Sequence, residues 1–274
     1  MRELMLGAVA YDAKVVPIWD GFRAWFSKRG LPFDYMLFTS YERQVDAHLR
    51  GDLDVAWNSP LAWLQAAALA AKHGRTARAI AMRDTDRDLA SVILVRADSP
   101  IHALGDLRNK RVGVGAGDSP QATLIPLGAL AEADVVVEPV RHDVLVGKHG
   151  DHIGGERIAV KALLAGEVDA ACIIDGNRLA FANDGTLPAG ATRVLHHTGA
   201  YDHCNMTVLD NAPAEPIAKL TELLLGMDYA DPEVRPLLDM EGLTRWLPGR
   251  TSGYALLERA VKRFGTIDAW LAAR

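Results

Sequence analysis

The sequence predicts an α/β protein of two lobes, with a central ligand cleft and two hinge crossings. Three observations carry this. Apolar segments of strand length alternate with longer segments of helical period. At 274 residues the chain is too long for one small core and suits two lobes or one large α/β unit. Two long extended runs, "LASVILVRAD" and "TRVLHHTGAYDHCNMTVLD", interrupt the alternation. They place hinge crossings near 88–97 and 199–208, dividing the chain into a first lobe of residues 1–90 plus 206–274 and a second of 91–205.

In chain order, "LMLGAVA" (4–10) is a buried strand, and residues 16–29 set Ile18, Phe22, Trp25 and Phe26 at helical spacing. "FDYMLFT" (33–39) is a strand, "YERQVDAHLRG" (41–51) a helix closed by Gly51, and "LDVAWN" (53–58) a third strand. Pro60 sits in the first turn of the next helix and Gly74 lies beyond its end, before the strand "AIAMR" (79–83). The second lobe begins with the β-branched run at 89–98. The strand "RVGVGA" (111–116), a helix from Ser119–Pro120 and the strand "DVVVEPV" (134–140) follow. After a histidine-rich connection come a helix starting near Glu156, with Gly154–Gly155 ending the loop before it, and the strand "DAACIID" (169–175). The C-terminal part, including "TRWLPGRTSGYALLERAVKRFG", reads as helices packed on the first lobe.

Hydrophobic residues make up 49% and charged residues 24%, an ordinary balance for a globular chain. The net charge of −5 and the lack of a Lys/Arg block exclude a nucleic-acid partner. Cys172 and Cys204 allow at most one disulfide. "MRELMLGAVAYD" resembles a first strand rather than a secretion signal, so the expected location is cytoplasmic if Met1 is native and periplasmic if a leader was removed.

"TSYERQVDAHLRGDLDVAWNSPLAW", "LASVILVRADSPIHALGDLRNKRVGVGAGDSPQATLIP" and "AVKALLAGEVDAACIID" follow one another in an order found in a known family. On these segments the chain resembles type II periplasmic substrate-binding proteins, in the phosphate/phosphonate/sulfonate-binding (PhnD-like) branch. The resemblance implies a type II periplasmic-binding-protein-like fold that captures a small polar, anionic metabolite. It also implies no required cofactor, ABC-transporter membrane subunits as partners if the chain is exported, and a monomer or small homo-oligomer. Because the fold also hosts lyases, decarboxylases and cofactor-biosynthesis enzymes, a cytoplasmic enzyme with Fe or Zn is the alternative.

Four segments supply candidate site residues. In "GAGDSPQATLIP" (115–126), Ser119, Gln121 and Thr123 stand at a helix start whose free N–H groups and dipole favour an anion. Asp118 is expected to point away or to meet a partly cationic ligand. Tyr11, Asp12, Thr39, Ser40, Tyr41, Asn58 and Ser59 lie at strand ends of the first lobe, as Asp175 does in the second, and generic turn chemistry is the competing account. In "RHDVLVGKHGDHIGGE" (141–156), His149, His152 and Glu156 are candidate ligands for Zn²⁺ or Fe²⁺, or anion donors together with His142. A cation at a helix N-terminus is opposed by the dipole.

The last segment, "GAYDHCNMTV" (199–208), offers Tyr201 to a ligand and Asp202, His203 and Cys204, with His142, to catalysis. Strand alternation places Asp202 and Cys204 on one face and Tyr201, His203 and Asn205 on the other. A nucleophilic Cys204 would then need a histidine from another segment.

Overall fold

The computed structural model describes residues 2–143 and 152–272. The chain divides into two compact units. The first comprises residues 1–87, 202–254 and 271–274, and the second 88–201 and 255–270.

The first unit opens with strand β1 (Leu4–Val9), helix α1 (Val15–Lys28), β2 (Phe33–Phe38), α2 (Tyr41–Arg50), β3 (Val55–Asn58), α3 (Pro60–Lys72) and β4 (Ala77–Arg83). α1 turns Ile18, Trp19, Phe22, Trp25 and Phe26 inward, and the Phe26 ring meets Phe33 of β2 at 4.9 Å. Ser40 and Ser59 cap α2 and α3 by accepting from Arg43 N and Ala62 N, both at 3.3 Å. Gly51 ends α2 at φ 87°, a conformation that favours glycine.

The second unit contains β5 (Ser91–Arg96), β6 (Arg111–Val114), a π-helical turn at Pro120–Leu124 and α4 (Ile125–Glu132). β7 (Glu138–Arg141), α5 (His152–Leu164), β8 (Ala170–Ile174), α6 (Asn177–Asn183) and β9 (Thr192–His197) follow. The chain returns to the first unit with β10 (Asn205–Leu209), α7 (Ala214–Leu225), α8 (Arg235–Glu241) and β11 (Trp246–Pro248), and ends with α9 (Ala255–Phe264) and α10 (Thr266–Ala272).

The first unit's sheet runs β11-β4-β10-β3-β1-β2. β1 is parallel to β2 and β3, whereas β10 is antiparallel to β3 and β4. The second unit's sheet runs β7-β6-β8-β5-β9, with β5 antiparallel to both neighbours. Along β5, Val92 and Leu94 enter one hydrophobic cluster while Ile93 and Val95 enter another. The period of two thus buries both faces of a central strand.

The structure differs from the sequence reading at five places. α9 belongs to the second unit, not the first lobe: Gly128 of α4 lies so close to Ala260 that a Cβ on it would stand 3.0 Å from the alanine's, and Arg259 Nε reaches Glu132 at 3.0 Å. Residues 202–205 fall in the first unit because Asp202 N donates to Gly253 O and His203 N to Asp86 O. Trp246–Pro248 is a strand, paired with β4. The strand expected over 134–140 is confined to Glu138–Arg141.

The fifth difference is at the start of α5. It begins at His152, with Gly154–Gly155 inside it rather than before it. A Cβ at Gly155 would stand 2.5 Å from His142 O, so this glycine serves close packing instead of breaking the helix. Among the described residues no helix is long and apolar enough to cross a membrane.

Candidate functional sites

Each unit buries a cluster of polar side chains, and the two are described separately. In the second unit the cluster gathers around the loop Gly115–Ser119 and the π-helical turn. Ser119 Oγ accepts from Ala122 N at 3.2 Å, and Ser119 O accepts from Leu124 N at 3.0 Å, five residues on. A helix start leaves first-turn N–H groups for a ligand, and π-turns often occur at functional sites. The Arg141 guanidinium lies against the loop at Gly117, with Nη1 3.5 Å from where a Cβ would stand.

Ser119, Gln121 and Thr123 are all buried. Gln121 Oε1 and Thr123 Oγ1 have no hydrogen-bond partner within the described protein. Asp118 turns one carboxylate oxygen toward His152 Nε2 at 3.5 Å. Glu156 is fully buried, and its Oε2 accepts from Ile174 N at 3.0 Å and Asn177 Nδ2 at 2.8 Å. Its Oε1 is unpartnered. Burial pushes the Glu156 carboxyl up to about 7, against the opposing pull of Asn177, the Ile174 amide, His152 and Gln121. Tyr201 is 1% exposed, its hydroxyl bonded to Ser91 Oγ at 2.9 Å, so it belongs to the interior. Asp175 is engaged by Arg178 at 3.0 Å.

Of the expected metal trio, the described residues include only His152 and Glu156. Glu156 is committed to β8 and Asn177, His152 faces Asp118, and His149 lies outside the described residues. His142 is half-buried, and burial lowers its imidazole pKa.

In the first unit the cluster centres on Arg83 at the end of β4. Its Nε donates to Asp86 Oδ2 at 2.6 Å and its Nη2 to Asp86 Oδ1 at 2.9 Å. Its Nη1 donates to Glu241 O at 2.9 Å and Oε1 at 3.2 Å, and the guanidinium lies 5.2 Å from the Trp57 ring centroid. Burial alone would raise the Asp86 carboxyl, but Arg83 and the His203 imidazole outweigh it and hold it well below the usual range. Glu241 shares the same arginine less closely. Burial pushes it up to about 7, with Arg83 opposing and the Asp86 charge adding.

His203 and Cys204 join this cluster. His203 Nδ1 lies 3.1 Å from Cys204 Sγ and 3.4 Å from Asp86 Oδ1. The expected separation of these two side chains onto opposite faces therefore fails. β10 begins only at Asn205, so the alternation of a strand does not reach residues 202–204. Burial, reinforced by Asp86, raises the Cys204 thiol well above its ordinary value, which disfavours a nucleophilic thiolate. Cys172 and Cys204 are both free thiols.

The remaining first-unit candidates divide by role. Asp202, offered as a catalytic acid, is gripped by Arg250 through two contacts of 2.6 Å, and a Cβ at Gly253 would collide with its carboxylate at 2.1 Å. Asn58 is a core amide: it accepts from Gln44 Nε2 at 2.8 Å and donates to Thr207 Oγ1 at 2.9 Å. The network continues through Asn205 to the Tyr254 hydroxyl, which donates to His203 O at 2.7 Å. Ser59 and Ser40 act as caps, and Tyr41 follows Ser40 at the α2 start, half-buried. Thr39 is exposed, and Asp12 accepts from Lys14 N at 2.8 Å. Tyr11 is 42% exposed, yet burial of its phenol, with Glu241 next in effect, raises it to about 12.

Arg83, Asp86, Glu241, Arg141 and Arg250 were not singled out from the sequence. Arg83 and Asp86 carry a signal, a charged pair three apart directly after a buried strand. Glu241 carries none, because a distant helix brings it in.

Comparison with known proteins adds the family. The profile described as "ABC transporter, phosphonate, periplasmic substrate-binding protein" matches residues 8–254. Among solved structures, PhnD1 from Prochlorococcus marinus in complex with methylphosphonate aligns with TM-score 0.69 and 19% identity, over 96% of this chain and 98% of that one. XAC2383 from Xanthomonas citri, bound to ATP, aligns with TM-score 0.71 and 17% identity over 98% and 99%. The aliphatic sulphonate-binding protein SsuA from Escherichia coli aligns with TM-score 0.56 and 17% identity over 97% and 88%. At these identities the structural likeness establishes the fold alone. No curated protein sequence gives a significant match. The cytoplasmic-enzyme alternative finds no support in these matches.

Proposed function

Because the chain belongs to the periplasmic substrate-binding family of phosphonate ABC transporters, we propose that it captures a small phosphonate- or sulfonate-like anion and seats it on the Gly115–Ser119 loop of the second unit. The observation that carries this reading is the helix start capped by Ser119 with the Arg141 guanidinium against Gly117. Backbone N–H groups and a planar cation together suit a tetrahedral oxyanion. Gln121 Oε1, a buried acceptor without a partner in the same unit, favours a ligand that also carries a hydrogen-bond donor.

On this reading the partners are the ligand and the membrane subunits of a transporter, a single chain suffices, and the periplasmic location of the family fits. The paired chain passages at Leu89 and Tyr201, whose N–H and C=O groups bond reciprocally at 2.8 Å, act as the hinge. Binding itself needs no cofactor.

Calorimetry and thermal melting of the full chain with methylphosphonate, inorganic phosphate and an alkanesulfonate test the proposal. At least one probe is expected to raise the melting temperature, and Arg141→Ala to weaken its binding by roughly 10- to 100-fold, the worth of a charge-assisted contact. Identical affinities in Arg141→Ala and the parent, or no response to any probe, would remove the basis for this site.

A further inference from the structure

We propose that Asp86, His203 and Cys204 in the first unit form a binding site for one divalent cation of the zinc class. One carboxylate oxygen, one imidazole nitrogen and one thiol sulfur lie within 4.8 Å of one another. An ion held at about 2.0–2.3 Å from each donor sets tetrahedral neighbours roughly 3.3–3.8 Å apart. The observed separations from His203 Nδ1, 3.1 Å to Cys204 Sγ and 3.4 Å to Asp86 Oδ1, are already close to that spacing. A mixed sulfur, nitrogen and oxygen donor set suits a borderline-soft ion rather than magnesium or calcium.

The surrounding bonds fix these donors in place. His203 N donates to Asp86 O at 2.7 Å, and His203 O accepts from the Tyr254 hydroxyl at 2.7 Å, so two of the ligand residues are tied backbone to backbone. Arg83 orients the Asp86 carboxylate by bonding both of its oxygens. A carboxylate accepts at two oxygens with two lone pairs each, so Oδ1 retains capacity toward the ion while bonded to Arg83. Such outer partners are a regular part of metal sites.

Charge balance favours the same conclusion. One guanidinium serves two buried carboxylates, Asp86 and Glu241. On ion binding the Cys204 thiol releases its proton to solvent as the sulfur–metal bond forms. Two anions, the Asp86 carboxylate and the Cys204 thiolate, then face the divalent cation and match its charge. The His203 side chain is 20% exposed, which leaves a route from solvent. Three protein ligands leave a fourth position for water or another oxygen donor.

The test uses the full chain with Cd²⁺ as a spectroscopic probe and Zn²⁺ for calorimetry. Cys172, the other cysteine, is replaced first, so any cadmium–thiolate charge-transfer band in the Cys172→Ala protein comes from Cys204. A band saturating at one equivalent is expected. Adding Cys204→Ser should abolish it and weaken Zn²⁺ at least about 100-fold, and His203→Gln should weaken Zn²⁺ about 10- to 100-fold. Absence of the band in the Cys172→Ala protein overturns the proposal, as does a Zn²⁺ affinity indifferent to Cys204→Ser. Should the Cys204→Ser chain fail to fold, the band in the Cys172→Ala protein decides alone.

Discussion

The two buried polar clusters use carboxylates in opposite ways. In the first unit Asp86 meets a guanidinium through two hydrogen bonds and stays ionised. In the second, Glu156 is equally buried but receives only neutral donors, and its carboxyl is held proton-bearing up to about 7. Burial raises both, and the presence of a cation in contact decides which remains charged. Glu241 is the instructive intermediate. It shares Arg83 with Asp86 through one longer side-chain contact of 3.2 Å, and it behaves like Glu156. A buried arginine can thus hold one carboxylate ionised without holding two.

The largest expected effect comes from removing that arginine. Arg83→Met leaves Asp86 and Glu241 buried without their cation, and should destabilise the protein by about 3–5 kcal/mol in chemical denaturation. A loss under about 1 kcal/mol, the scale of exposed ion pairs, would break the contrast between the clusters.

Next in size is a dependence on pH. Glu156 and Glu241 hold their protons up to about 7 when folded, against an ordinary value of 4.5. Between those values the folded state binds more protons than the unfolded one, so stability falls as pH rises through the window, by up to about 3 kcal/mol for each group. Asp86 has the opposite sign: its contribution is present above the ordinary carboxylate value and is lost as pH falls below it. Buried His48, its imidazole lowered to about 4, contributes the opposite slope over the same window. Relative to the parent, the denaturation midpoints from pH 4.5 to 7 should therefore slope more upward in Glu156→Gln or Glu241→Gln, and most so in the double variant. A parent-like slope in the double variant would show that neither carboxyl is perturbed.

The smallest effect sharpens the comparison at the helix starts. Ser59→Ala and Ser119→Ala each remove a cap of matching geometry, and each should cost about 1 kcal/mol in stability. Only Ser119→Ala should also weaken anion binding in calorimetry. Equal ligand responses from the two would count against placing the anion on the second unit.

Much of the fold was legible because its elements are locally consistent. β1 to β5 and α1 to α3 follow apolar period and end chemistry, with Gly51 and Pro60 acting as the sequence predicts, while Ser40 and Ser59, expected to meet a ligand, serve as helix caps. What escaped was set by distant contacts. Trp246–Pro248 is too short to show a period and becomes a strand only beside β4. Gly154–Gly155 looked like a helix boundary, yet Gly155 is small because His142 O presses against it. α9 gave no local sign of which unit it packs on.

The candidate sites were less legible for the same reason. Ser119, Gln121 and Thr123 come together as one buried group because a single turn carries them. Asn58 stood at a strand end, as expected, but its amide is consumed by Gln44 and Thr207 from other segments. The neighbours of His203 were misjudged because alternation was extended past the true start of β10. Arg83 and Glu241 meet across a sequence separation that no motif encodes.

The π-helical turn at Pro120–Leu124 has a genetic consequence. It holds one residue more than an α-helical turn would, and each residue of an α-helix advances about 100° around the axis. Deleting a single codon within it would leave composition and apolar content almost untouched. Yet the shortened turn would wind as ordinary α-helix and swing Ser119 and Gln121 about 100° around the axis relative to α4. This stretch should therefore reject any change in its length, even one that leaves its buried side chains the same in kind.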